Sequence, residues 1–447
     1  MNEKDYSPYS AAVIGAGPAG LYAARELANA GLQVALINRD IKAGGLAEYG
    51  IYPNKYKMKD GLRRQTRNIL TEPNIHYFGN LKVRQDGPLS LEQLQAMGFD
   101  AVVVAVGAQG TKQLGLPGED LPGVYHAKDL VYHYNRLPPF GRQQFPVGQR
   151  VVCVGVGNVM LDIAHWLVRE LQVDEVVAVA RRSPADVKFT KKEMEAVVHN
   201  LDQAALDAEI ERTRSVMLAA GQDPEAARAF ILSALAGAEE KISDTRFRFH
   251  FLASPHQILS DEQGRVRALQ VEETSLELQA DGRTKAVDLG SYQEIPCDTV
   301  IFCIGDRVNP ELGLPLDKWG DFAKEPAPRF PVDEKSYEAA GLDGVFLTGW
   351  AREASTGLVG TARKDGTNAA HAVLASLQGK PARGGQPLAT LAAAAASQTE
   401  PVVSKADLLR LEAAEAAIAT GQGLPDFKFD NNEEMLGVIG KLLAEQP

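Results

Sequence analysis

Cysteine is almost missing from this chain: Cys153, Cys297 and Cys303 are the three among 447 residues. None forms a CxxC pair, which excludes a thioredoxin-like dithiol. Three thiols are also too few for a four-cysteine iron–sulfur cluster held by this chain alone, or for a disulfide framework. Each lies in an apolar, strand-like run, which predicts buried, inert thiols. Long apolar runs are lacking too, since none reaches the roughly 18 residues that span a bilayer. The segment Met1–Ser10 is polar and carries no apolar signal stretch, so the expected location is cytoplasmic. Positive charge is in deficit: 47 lysines and arginines face 58 aspartates and glutamates, a net charge of −11. That balance speaks against nucleic acid and against an anionic membrane surface as partners.

The length exceeds one ordinary core and predicts two or three domains. Glycine is plentiful, and two glycine turns share one context. Gly15-Ala16-Gly17-Pro18-Ala19-Gly20 follows the strand-like Ala11–Ile14, and Gly155-Val156-Gly157-Asn158-Val159-Met160 follows Val151–Val154. Each opens an apolar helix and a further strand, Gln33–Ile37 or Glu175–Ala180. Continuous apolar runs such as Asp100–Val106, ending at Gly107, and Asp298–Ile304, ending at Gly305, suit parallel sheets covered on both faces. Asp261–Gly264 reads as a hairpin turn, and residues 190–245 as a charged helical excursion. Past Gly379, glycine, proline and alanine predict a linker to about residue 396, then a helix over 404–419.

A strand, a glycine turn and a helix in succession form a cradle for a dinucleotide. Gly15 permits the bend, Gly17 lets backbone approach a pyrophosphate, and Gly20 lets helix and strand close up. The helix N-terminus offers free N–H groups to the phosphates. A ribose-binding carboxylate is expected at the end of the second strand; here the position is Asn38, followed by Arg39 and Asp40. The second turn keeps Gly155 and Gly157 but has Met160 at the third small position, which predicts looser packing. Its next strand ends in Arg181-Arg182, a pair suited to a 2′-phosphate and thus to NADP over NAD. Lys188, Lys191 and Lys192 either add phosphate attraction or form an exposed helical face.

In this order the motifs resemble the adrenodoxin reductase family of ferredoxin–NADP reductases. Gly155–Asp162 matches its GxGNVxxD, Ala180–Ser183 with Phe189–Glu193 its NADP-phosphate strand and acidic helix, and Gly349-Trp350 with Thr356-Gly357 its flavin loop. Gly44–Ile51, with Gly45 and Leu46, is similar to the related flavin subunits of glutamate synthase, without their cysteine-rich domain. The resemblance implies an α/β fold with two Rossmann-like domains. A discontinuous FAD domain would occupy 1–107 and 305–378. An NADP domain would be inserted over 108–304, and a linker with a C-terminal helical appendix would follow over 379–447. FAD would lie along the first turn, past Gly107, with its ring near Gly349, Trp350, Thr356 and Gly357. NADP(H) would lie on the second, with Arg181 and Arg182 on its 2′-phosphate, Glu193 on a ribose, and Asp162 orienting a loop that includes Asn158 and Val159. Lys55 stands where mitochondrial members usually carry histidine, and there offers positive charge near reduced flavin or an acidic partner.

The implied chemistry is hydride exchange between NADP(H) and FAD, with single electrons passing to or from a ferredoxin or flavodoxin. Such carriers are usually acidic, and Lys55, Lys57, Lys59, Arg63, Arg64 and Arg67 read either as a local basic docking patch or as a solvated basic helix face. Two other readings stand beside this one: an electron-input subunit of a larger iron–sulfur oxidoreductase, and a non-catalytic nucleotide-binding protein.

Overall fold

The computed structural model describes residues 5–441, so Met1–Lys4 of the polar lead-in and 442–447 of the appendix lie outside it. The chain divides into two compact units. One comprises residues up to Thr111, Tyr132–Arg142 and Asp306 onward; the other Lys112–Val131 and Gln143–Gly305.

The first unit is built on a five-stranded parallel sheet, ordered Val345–Leu347, Ala101–Val104, Ser10–Ile14, Gln33–Ile37, Ile75–Phe78. Its strands are almost wholly buried, as their unbroken apolar runs require. Helix Pro18–Asn29 packs closely against helix Val359–Leu377, because a Cβ on Gly366 would fall on the carbonyl oxygen of Ala19.

The second unit repeats the scheme. Its parallel sheet runs Val124–His126, Thr299–Phe302, Arg150–Val154, Glu175–Val179, Arg246–His250. The helical excursion contains Gln203–Ala219 and Pro224–Leu232, capped by Asp202 and Asp223. A three-stranded antiparallel sheet of Ala253–Ser260, Val266–Leu278 and Thr284–Pro296 follows. The turn at Asp261–Gly264 joins its first two strands, with the Asp261 carboxylate accepting from the N–H groups of Gln263 and Arg265. All three cysteines are free and buried, and burial pushes the Cys297 thiol up to about 12.

The C-terminal segment departs from expectation. Residues 387–396, read as linker, form a helix whose Leu391 and Ala395 are buried in the first unit's core. Alanine is the best helix former, so an alanine-rich stretch with one well-placed leucine folds once it has a surface to cover. Ser404 and Asp407 make a capping box for helix Lys405–Gln422, which ends at Gly423. Val403 exchanges two backbone hydrogen bonds of 2.8 Å with Gly79, at the end of the sheet's edge strand. Leu411, Phe429, Met435 and Ile439 then close over Ile41.

Candidate functional site

The first glycine turn is built by backbone crowding. Gly15 has φ +107°, and a Cβ there would strike the carbonyl of Ala105; one on Gly20 would strike the carbonyl of Gly15. Gly17 is the opposite case, since nothing lies within 4 Å of where its Cβ would be. The turn therefore presents open backbone at the N-terminus of helix Pro18–Asn29, the geometry of an anion cradle. Two loops converge on it. Gly44 donates its N–H to the carbonyl of Ala16 at 2.8 Å, and a Cβ on Gly45 would lie 3.0 Å from the Cα of Gly17. Gly349 packs on Ala19, leaving 2.7 Å to a Cβ built on it. Gly15, Gly17, Ala19, Gly20, Gly45 and Gly349 are thus brought together. Gly107 follows the neighbouring strand Ala101–Val104, and Leu46 opens the short helix Leu46–Tyr49.

Asn38 follows the second strand, Gln33–Ile37. It is buried, its Oδ1 accepts from the N–H of Ala16 at 3.0 Å, and its Nδ2 donates to the carbonyls of Asp40 and Lys42 at 2.8 and 2.9 Å. Both amide hydrogens are used, so the side chain ties the turn to the next loop. Arg39 and Asp40 pair with each other just beyond.

The loop carrying Trp350 is fastened by a residue the sequence reading missed. Asp365 accepts from the N–H of Gly349 at 2.6 Å, the hydroxyls of Thr348 and Tyr337 at 3.1 Å each, and the guanidinium of Arg352 at 2.6 Å. Arg352 is itself buried. Trp350 is half-buried and donates its indole N–H to the carbonyl of Thr356 at 2.9 Å, fixing ring against loop. Thr356 and Gly357 are exposed, and the Ser355 hydroxyl holds the loop to Asp306. The signal for Asp365 in the sequence is its place nearly two turns into the helix Val359–Leu377 that follows the flavin-loop motif. Lys55, half-buried, precedes helix Tyr56–Leu70.

The basic docking patch needs correction. Lys59 is buried and donates to the carbonyl of Ile51 and, at 2.7 Å, to Asn135 Oδ1. Arg63 turns inward to a two-pronged pair with Glu48, both bonds 2.7 Å, and to Asp426. Helical spacing puts residues 59, 63, 66 and 70 on one stripe, and here that stripe faces the core. Burial works to raise the Glu48 carboxyl, but Lys42, Lys428 and Arg63 outweigh it and hold the group well below the usual range. Lys42 also pairs with Glu415, and Lys428 donates to the carbonyl of Glu48. The C-terminal segment therefore supplies half of a buried ion cluster behind the Gly45 loop. Lys57, Arg64 and Arg67 remain exposed.

In the second unit Gly155 has φ +119°, its N–H bonds the carbonyl of Val179 at 2.9 Å, and a Cβ would strike Cys303. Gly157 is open, with nothing within 4 Å of its Cβ position, at the N-terminus of helix Asn158–Trp166. At the third small position the Met160 side chain is wholly buried, an unbranched chain filling the space between helix and strand. Val159 is exposed and Asp162 half-buried on that helix. Asn158 Oδ1 accepts from the N–H of Thr190 at 2.8 Å, which draws the segment bearing Glu193 to the turn. The N–H of Lys188 bonds the carbonyl of Val156, while Lys192 pairs with Glu195. Arg181 is exposed and, among the described residues, in no ion pair; Arg182 lies 3.8 Å from Asp186.

The sequence profile of the pyridine nucleotide-disulphide oxidoreductase family matches residues 9–224. The NADPH-ferredoxin reductase FprA of Mycobacterium leprae is 27% identical, the match covering 96% of this chain and 97% of that protein. The human mitochondrial NADPH:adrenodoxin oxidoreductase is also 27% identical, over 96% of this chain and 91% of its own length. Among solved structures, Mycobacterium tuberculosis FprA in complex with NADPH superposes with a TM-score of 0.80 at 27% identity, covering 97% of this chain and 99% of that one.

Proposed function

The chain is a homologue of the NADPH-ferredoxin and NADPH:adrenodoxin reductases, and from that premise we propose an FAD-dependent oxidoreductase that exchanges hydride with NADP(H) and passes electrons to or from a ferredoxin-type carrier. The observation that carries this reading is the pair of turns. Each has one crowded glycine that sets the bend and one open glycine, Gly17 or Gly157, that lets a pyrophosphate reach a helix N-terminus. We assign FAD to the first unit and NADP(H) to the second, whose turn lies beside Arg181 and Arg182.

When bound, FAD supplies the chemistry, taking two electrons as hydride from NADPH and releasing them singly. The chain's residues bind and orient. Gly17 and the N–H groups of the following helix hold the pyrophosphate, with the Gly45 loop as the opposing wall. Trp350, braced by Thr356 and Asp365, shapes the ring's surroundings together with the Thr356-Gly357 backbone. Arg181 takes the 2′-phosphate. No general base is required, because the transferred hydride carries its own electron pair. The carrier is acidic and docks on the exposed Lys57, Arg64 and Arg67, with the protein working in the cytoplasm. Among the described residues no helix is long and apolar enough to cross a membrane.

Anaerobic titration of the flavin absorbance with NADPH, then NADH, tests this reading. Bleaching by NADPH at far lower concentration than by NADH is expected. A yellow protein that neither nucleotide bleaches would overturn it.

A further inference from the structure

At the arginine pair stands a carboxylate that a phosphate site has no evident need of. Asp186 follows Arg182 by four residues and is mostly shielded from water. Its Oδ1 accepts from the Thr284 hydroxyl at 2.9 Å and lies 3.8 Å from Arg182 Nη1. Its Oδ2 accepts from Gln222 Nε2 at 3.0 Å and lies 3.0 Å from Ser183 Oγ, which in turn is 2.6 Å from Gln222 Oε1. Gln222 comes from the helical excursion and Thr284 from the long hairpin, so three separate segments meet at this one group. The arginine backbone is pinned as well: the Arg181 carbonyl accepts from the Thr274 hydroxyl and the Arg182 carbonyl from the N–H of Leu252.

The two arginines are therefore unequal. Arg181 is exposed and, among the described residues, in no ion pair, whereas Arg182 sits beside a negative charge at a distance too long for a hydrogen bond. We propose that Asp186 is a specificity-determining residue that weakens the hold of Arg182 on a 2′-phosphate, leaving Arg181 as the main discriminator between NADPH and NADH. This rests on the assignment of the 2′-phosphate to the arginine pair. A carboxylate close to a phosphate-binding guanidinium both competes for it and repels the incoming dianion. The effect falls on the phosphorylated nucleotide and not on its counterpart lacking the phosphate.

The test is the ratio of KM for NADPH to KM for NADH in the flavin-loaded enzyme. Asp186→Asn keeps the size and most hydrogen bonds of the group and removes its charge. It is expected to lower KM for NADPH by roughly threefold to fivefold, the range of a partly exposed charge pair, with KM for NADH and both kcat values unchanged. The gain should shrink at high salt. Thr284→Val, which removes a partner of Asp186 without altering charge, should leave the ratio as it is; a shift matching that of Asp186→Asn would mean loop anchoring and overturn the proposal. Arg182→Ala offers a second route if Asp186→Asn does not fold. Its loss of NADPH affinity should be smaller than that of Arg181→Ala, and an equal or larger loss overturns the proposal. Where Arg181→Ala harms NADPH selectively but Asp186→Asn leaves the ratio flat or raises it, the proposal alone fails. Where Arg181→Ala harms both nucleotides alike, the site assignment fails with it.

Discussion

Asn38 shows how one side chain's partners overrule its position. At the end of the second strand a carboxylate would ordinarily meet a ribose, and amide chemistry looks like a weaker version of the same contact. The structure spends both N–H bonds of the amide on the carbonyls of Asp40 and Lys42. Asn38→Asp, which would restore the usual residue, is therefore expected to weaken the protein. It sets a carboxylate against two carbonyl oxygens, at a cost of about 1–3 kcal/mol for the donors lost. Urea unfolding with flavin release as the readout checks this, and tighter flavin binding by the variant would refute the assignment. Asp365 teaches the converse. No pattern of glycines announced it, yet it receives the N–H of Gly349, two hydroxyls and a buried guanidinium. Its importance comes from partners 13 to 28 residues away, which a local motif cannot display.

At the scale of elements, helix Tyr56–Leu70 is the instructive case. Its run of cations reads as a solvated docking face, but the stripe with Lys59 and Arg63 is turned inward, where Glu48, Asp426 and Asn135 meet it. The partners lie on either side in the chain and as far off as residue 426, so helical periodicity alone could mark the stripe without saying which way it faced. On the proposed reading, docking falls to the outward stripe with Lys57, Arg64 and Arg67. Lys57→Glu combined with Arg64→Glu is expected to slow reduction of an acidic ferredoxin severalfold at low salt, a steering effect, while reduction of a small dye proceeds unchanged. Equal losses with both acceptors would remove the helix from the docking surface. Helix Pro387–Ala396 is the other lesson, since alanine-rich sequence reads as linker or helix according to whether a surface awaits it.

Across the whole molecule, the C-terminal segment changes from appendage to structural part. Leu391, Val403 and Leu411 are buried, and Glu415, Asp426 and Lys428 complete the ion cluster around Glu48. Deleting residues 400–447 would uncover Ile41 and take Glu415 from Lys42 and Asp426 from Arg63, leaving Glu48 to pair with both. The truncated protein is expected to lose its flavin and to unfold at much lower urea than the full chain. A truncated form that stays yellow, with unchanged unfolding, would return the segment to the status of an appendage. The sequence by itself determined the two parallel α/β sheets, the two glycine turns and the arginine pair. Those depend on short-range backbone sterics and apolar periodicity, which local residues carry in full. Only the tertiary structure decided the inward turn of Lys59 and Arg63, the tethering work of Asn38, the bracing by Asp365 and the place of Asp186 beside Arg182. Each of these is a charge or hydrogen-bond pairing, and such a group's role is set by whichever partner the fold brings within 4 Å.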